Sequence, residues 1–304
     1  MNTQSNAMPE SFDSQGIAPA AMSATRPLYW SVRRELWENR SIYIAPLAVA
    51  AVTLFGFLIA TIGRALSAAD LAQRRAVLEG PYHFATALIM ATTFVVGIFY
   101  SLDALHGERR DRSILFWKSL PVSDLTTVLS KASIPLVVLP LLTIAIVVAT
   151  QWIMLLLSSL VLLGSGLNVA TLWTQSSLFQ TSLMLLYHLV TVHVLWYAPM
   201  YAWLLLVSGW ARRATFLWAA LPLFAIWIIE KVAFNTSHFA RLLMYRMSGP
   251  EAYDLGARGG ASMHPMATLD PGKFLSTPGL WVGLAVAAAF LAAAVRLRRY
   301  QGPI

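Results

Sequence analysis

Residues 107–123, GERRDRSILFWKSLPVS, crowd charge and aromatic surface into one short stretch. Arg109, Arg110, Arg112 and Lys118 crowd around the apolar run Ile114, Leu115, Phe116 and Trp117, with Glu108, Asp111 and Ser113 among them. Such a set suits recognition rather than bond-making. Aromatic anchors in the middle and a charged rim outside describe a protein-docking helix. The same residues also describe a short anchor dipping into a membrane interface, with Arg112 and Lys118 at the headgroups. Physical chemistry leaves both readings open.

Other chemistry-bearing residues are sparse. His188 and His193 invite a haem or redox reading. Five residues along an α-helix are about 140° around the axis, so the two rings should not share a face. The rest of a haem ligand set is missing, and both are read as satisfied polar side chains within the bundle. Gln151 is read as interhelical glue or as lining of a pathway. Glu230 and Lys231 form a pair at the end of an apolar run, either mutually satisfied or part of a gate. The chain has no HExxH pattern, no Ser–Lys dyad and no paired carboxylates inside apolar runs, which argues against an intramembrane protease or lipid-modifying enzyme. It has no cysteine, which excludes disulfides and thiolate metal sites. The P-loop pattern is absent; the nearest fragment, DPGKFLST, places Phe after Lys.

The elements that must position these residues follow from composition. The 304 residues are 58% hydrophobic and 12% charged, about half the charge of an ordinary soluble domain. The chain is therefore read as an all-α polytopic membrane protein. The net charge of +8 comes from basic residues at the ends of apolar runs, so it orients the chain in a bilayer rather than binding nucleic acid. Residues 1–25 are polar and small, and are expected to be a disordered tail without the features of a signal peptide. Residues 26–300 are expected to form one transmembrane domain with six spans, at about 41–63, 84–102, 133–163, 182–207, 214–229 and 278–295. No Asp, Glu, Lys or Arg occurs from Ala132 to Ala211, and that stretch divides at the Gly-, Asn- and Ser-rich residues 164–177. Pro135 and Pro140 should kink the third span near its start. Most of the 22 Lys and Arg fall on one side if both termini are cytoplasmic. The loop 103–131 is then cytoplasmic and the loop 230–277 lies outside. Within the latter, residues 235–249 have the spacing of a short re-entrant or surface helix.

Two local readings complete the pattern. In residues 28–40, Tyr29, Trp30, Val32, Leu36 and Trp37 share a broad helical face, while Ser31, Arg34, Glu35 and Glu38 fall opposite. Arg33 intrudes on the apolar side, as expected of an interfacial helix whose arginine snorkels. In the loop 103–131, Asp111 or Ser113 should cap a short helix over 113–118. Pro121 should end it, and Ser123 should cap a second helix leading into the third span.

The stretch GERRDRSILFWKSLPVSDLTTVLSK (107–131) resembles the first cytoplasmic loop of permease subunits of type-2 ATP-binding-cassette (ABC) exporters. Glu108–Arg109, the helix Ser113–Lys118, the turn Pro121–Val122–Ser123 and Lys131 match that pattern in order and spacing. The expected topology is similar too, so the resemblance covers about residues 26–300. The denser Arg-Asp-Arg before the short helix departs from the pattern. The resemblance implies a bacterial cytoplasmic (inner) membrane location and efflux driven by a separate ABC ATPase, present in two copies. ATP and Mg would sit on that partner, with no cofactor on this chain. It implies a second copy of this permease, surrounding lipids as partners, and no enzymatic activity here. It assigns ATPase coupling to Glu108, Arg109, Arg112, Ser113, Ile114, Leu115, Phe116, Trp117 and Lys118. The alternative is a non-transporting membrane partner or sensor. The absence of charge within the spans favours a lipid-like or bulky neutral cargo.

Overall fold

The computed structural model describes residues 25–65, 71–120, 122–164, 178–249 and 271–304. The expected tail and most of the 164–177 connection, together with Pro121 and residues 250–270, lie outside the described residues. Among the described residues every regular element is helical.

A leading helix, α1 (Thr25–Glu38), ends where the Asn39 side chain and amide both donate to the Glu35 carbonyl, at 3.2 and 3.0 Å. α2 (Ser41–Ala65) and α3 (Leu71–Asp103) follow as long apolar helices. Three short helices form an elbow: α4 (His106–Arg110), α5 (Ser113–Ser119) and α6 (Asp124–Ser133). A π-turn, Ile134–Val138, runs on into α7 (Leu139–Gly164). Next come α8 (Leu178–His188), a π-helical stretch Leu189–Trp196, and α9 (Ala198–Trp210). α10 (Thr215–Ile229) passes through a π-turn (Glu230–Phe234) and a reversal into α11 (His238–Ser248). The short α12 (Pro271–Leu275) precedes α13 (Pro278–Tyr300).

Among the described residues five helices are long and apolar enough to cross a membrane, and six if the bent pair around Tyr197 counts as one span. The expectation of six spans stands at the upper end of that range. The bounds differ from those read in the sequence. The third candidate span begins earlier, and is helical from Asp124 to Leu160. Pro135 lacks the N–H that an α-helix needs, and the winding there widens to a π-turn over Ile134–Val138. The break comes instead near Tyr197, where the helix axis bends by 45° just before Pro199.

α2 packs on α3 and α7, while α9 packs along α13 and against α3. Gly97 lets α3 and α9 approach closely, because a Cβ there would lie 3.1 Å from the Tyr201 ring. α10 is nearly uncovered, with only Ala219 buried. Phe216, Leu217, Trp218, Leu221 and Phe224 all point outward. Such a surface is stable in a hydrocarbon environment, which agrees with a membrane location.

Candidate functional site

The site lies where the elbow α4–α6 meets α1 and the end of α13. Its centre is a set of charges that sequence order keeps far apart. Glu35 of α1 accepts from Lys131 Nζ at 2.8 Å, from Arg34 Nη2 at 2.7 Å and from the Tyr100 hydroxyl at 2.8 Å. Glu108 of α4 faces the same lysine at 3.1 Å, accepts from Arg34 Nη2 at 3.0 Å, and forms a close ion pair with Arg298 of α13. Arg298 Nε lies 3.2 Å from the Asp124 carboxylate at the start of α6. Glu35, Glu108, Lys131 and Arg298 are all buried.

Isolated charges could not sit there. Each would lose several kcal/mol of hydration, and only mutual pairing with further hydrogen bonds offsets that loss. Burial by itself raises the pKa of the Glu35 carboxyl. Lys131, Arg34 and the Tyr100 hydroxyl outweigh it and hold the group below its ordinary value. α1 thus buries its charged side. Val32 and Leu36 pack into the core beside Glu35, while Tyr29, Trp30 and Trp37 point outward. The sequence reading of α1 paired Val32 and Leu36 with the tryptophans; the structure separates them, because the ion network, rather than apolar content, decides which side turns in.

The elbow is pinned from a second direction. Ser208 Oγ accepts from the amides of Leu105 and His106, at 2.9 Å each. Arg109, also buried, donates to the Gly209 carbonyl at 2.5 Å and the Ala211 carbonyl at 3.3 Å. These are among the unpaired carbonyls at the end of α9, where a cation is favourable. The segment after α13 closes over the elbow: Ile304 N donates to Arg109 O at 3.2 Å, and Lys118 Nζ donates to Gln301 O at 2.9 Å.

α5 stands on this base. Its first turn is not capped by Asp111 or Ser113. Arg112 occupies the N-cap with left-handed φ 57° and no side-chain cap bond, and Ser113 Oγ instead donates back to Glu108 O at 3.4 Å. Ser123 does cap α6, accepting from Thr126 N at 3.1 Å. The apolar run is split rather than presented whole. Ile114 is buried, and Trp117 lies half-covered beneath the Arg34 guanidinium, 3.8 Å from the ring centre. Leu115 and Phe116 are about 60% exposed, at 59% and 60%. Positions 114 and 117 share a face by helical spacing, and 115 and 116 fall on the other.

The remaining candidates serve other places. Gln151 Nε2 donates to Thr86 Oγ1 at 3.2 Å and joins α7 to α3, as glue would. Glu230 accepts from Thr236 Oγ1 at 2.7 Å and from the amides of His238 and Phe239 at 2.5 and 2.8 Å, so it caps α11. His188 and His193 are the main correction. Their rings lie 6.0 Å apart, because the stretch between them is π-helical and brings i and i+5 to one side. Nor are both satisfied: His193 Nδ1 has no hydrogen-bond partner among the described residues. Among those residues no group of three or more His, Cys, Asp or Glu is placed to hold a metal.

Sequence reasoning missed Glu35, Tyr100, Asp124 and Arg298 as site residues. A signal existed for one of them: Glu35 breaks the pattern of a helix otherwise rich in aromatic and basic residues. The chain matches no family model, no curated protein and no solved structure.

Proposed function

We propose that the chain is the membrane-embedded permease subunit of an ABC exporter. ATP is hydrolysed on a separate ATPase subunit that docks on α5 from the cytoplasmic side. The complex holds two copies of each, and both termini of this chain are cytoplasmic. α1 lies in the inner interface, and α5 is the coupling helix.

One observation carries this reading. Leu115 and Phe116 project from a helix of about two turns whose other side is tied down. Trp117 is clamped by Arg34, Lys118 by the chain after α13, and Ile114 by burial. Beneath it, Glu35, Glu108, Lys131 and Arg298 join four elements. A displacement of α5 is therefore passed to α1, α4, α6 and α13 together rather than absorbed locally. An exposed apolar pair on so rigid a mount suits a partner's pocket better than a mobile anchor does.

The test is recruitment of a purified ABC ATPase, taken from the same operon or genome, to membranes carrying the chain. Phe116→Ala is expected to weaken recruitment by about 2 kcal/mol, a common loss for an aromatic anchor, or roughly thirtyfold. Leu115→Ala should do less. Full recruitment and full stimulation of ATP turnover by both variants would overturn the proposal and leave α5 as a membrane anchor.

A further inference from the structure

We propose that the outward side of α1 is a binding site for the phosphate of an anionic membrane lipid, built by Arg33 held between the indoles of Trp30 and Trp37. The proposal rests on reading the long apolar helices as membrane spans.

Two consecutive arginines have opposite fates in α1. Arg34 turns inward and is consumed by Glu35, Glu38 and Glu108. Arg33 turns outward and makes no ion pair or hydrogen bond among the described residues. Its guanidinium carbon lies 5.2 Å from the Trp30 ring centre and 5.0 Å from that of Trp37. These two rings sit three residues before and four residues after it, the spacing that puts all three on one side of a helix. Cation–π attraction to both indoles holds the guanidinium beside them. Its N–H groups have no acceptor among the described residues. A planar fork so held suits the bidentate recognition of a phosphate, and little rotamer freedom remains to be lost on binding.

The surroundings favour a lipid over a soluble anion. Trp30 is 58% exposed, Trp37 67% and Tyr29 60%. So much aromatic surface needs a cover. Amphipathic aromatic rings at the end of a span occupy the headgroup level of a bilayer. α2 starts only three residues after α1 ends, and its outward residues Ile44, Leu47, Val52 and Phe55 continue the apolar surface toward hydrocarbon. Arg26 and Arg40, both exposed, flank the site and add charge of the right sign.

The experiment uses the full chain in nanodiscs of phosphatidylcholine with a minority of phosphatidylglycerol, with retained lipids counted by native mass spectrometry. The wild type should retain phosphatidylglycerol several-fold above its share. Arg33→Gln should bring retention down to that share. Arg33→Lys keeps the charge but not the flat stacked fork, and should lose most of the excess, as should Trp37→Ala. These positions are exposed, so each variant should keep the wild-type melting temperature. A wild type without any excess, an Arg33→Gln variant that keeps it, or displacement by millimolar inorganic phosphate would overturn the lipid site. Release of the chain from membranes by alkaline carbonate would instead overturn the spanning reading beneath it. ATPase recruitment should be unchanged in all three variants, so failure here and failure of the docking proposal are separable.

Discussion

Each end of the bundle sets an arginine over a tryptophan, and the two pairs are built on opposite principles. At the elbow, Arg34 lies over Trp117 while its nitrogens engage Glu35, Glu38 and Glu108. At the far end, Arg246 of α11 lies 4.4 Å above Trp196 and donates to the Gly279 carbonyl at 3.0 Å, with no carboxylate among the described residues paired to it. Trp196 is fully buried and donates in turn to the Arg246 carbonyl at 2.8 Å. Tyr245 and Phe274 pack on its ring. The elbow is held by balanced charge distributed over several elements. The far end is held by shape, with one cation serving as part of the packing. The first arrangement should be stiff and sensitive to charge, and the second sensitive to volume.

Removing charge should therefore separate the two ends most strongly. Glu108→Ala leaves Lys131 and Arg298 buried without a carboxylate they both use, and breaking such a set costs about 3–5 kcal/mol. Arg246→Ala removes a cation held by one carbonyl and a ring face, and should cost about 1–2 kcal/mol. Thermal unfolding of both variants in one detergent measures the difference. Equal losses would break the comparison.

Acid should act on the elbow through Glu35. The Glu35 carboxyl has a lowered pKa in the folded chain. Its contribution is complete above the unfolded value, near 4, and is lost as pH falls through the folded value. Thermal stability should thus decline below roughly pH 4, and Glu35→Gln should flatten that part of the profile. A decline of the same size in Glu35→Gln would assign the acid sensitivity elsewhere.

The smallest effect expected is one of volume. The Arg246 guanidinium lies where a Cβ on Gly283 would project. Because the end of a flexible side chain can give way, Gly283→Ala should cost only about 1 kcal/mol, the low end for overpacking. A double variant Gly283→Ala, Arg246→Ala no less stable than Arg246→Ala alone would sharpen the assignment; additive losses would refute it.

These two ends were unequally legible in the sequence. Long apolar runs announce helices capable of crossing a membrane, since roughly 20 apolar residues have few other uses. The short helix over 113–119 and the Ser123 cap were readable from local spacing and chemistry. The ion network was not, because Glu35, Glu108, Lys131 and Arg298 come together only through tertiary packing, and no local pattern pairs them with one another. The same fact misdirected the reading of α1, where a polar side proved to be the buried one. The π-helical stretch at 189–196 has no clear residue signature, so wheel geometry placed His188 and His193 apart when winding brings them together. Trp196 and Arg246 lie 50 residues from each other, across a helical reversal, and were equally hidden.

The central claim is that the elbow faces an ATPase through Leu115 and Phe116, whereas the far end does not. A photoreactive phenylalanine analogue placed at 116, and in a second variant at the exposed far-end position Leu242, tests it directly in membranes carrying both subunits. The account predicts an ATPase adduct from position 116, dependent on the partner's presence, and none from position 242. Lipid adducts alone from position 116, with the ATPase present and active, would contradict it.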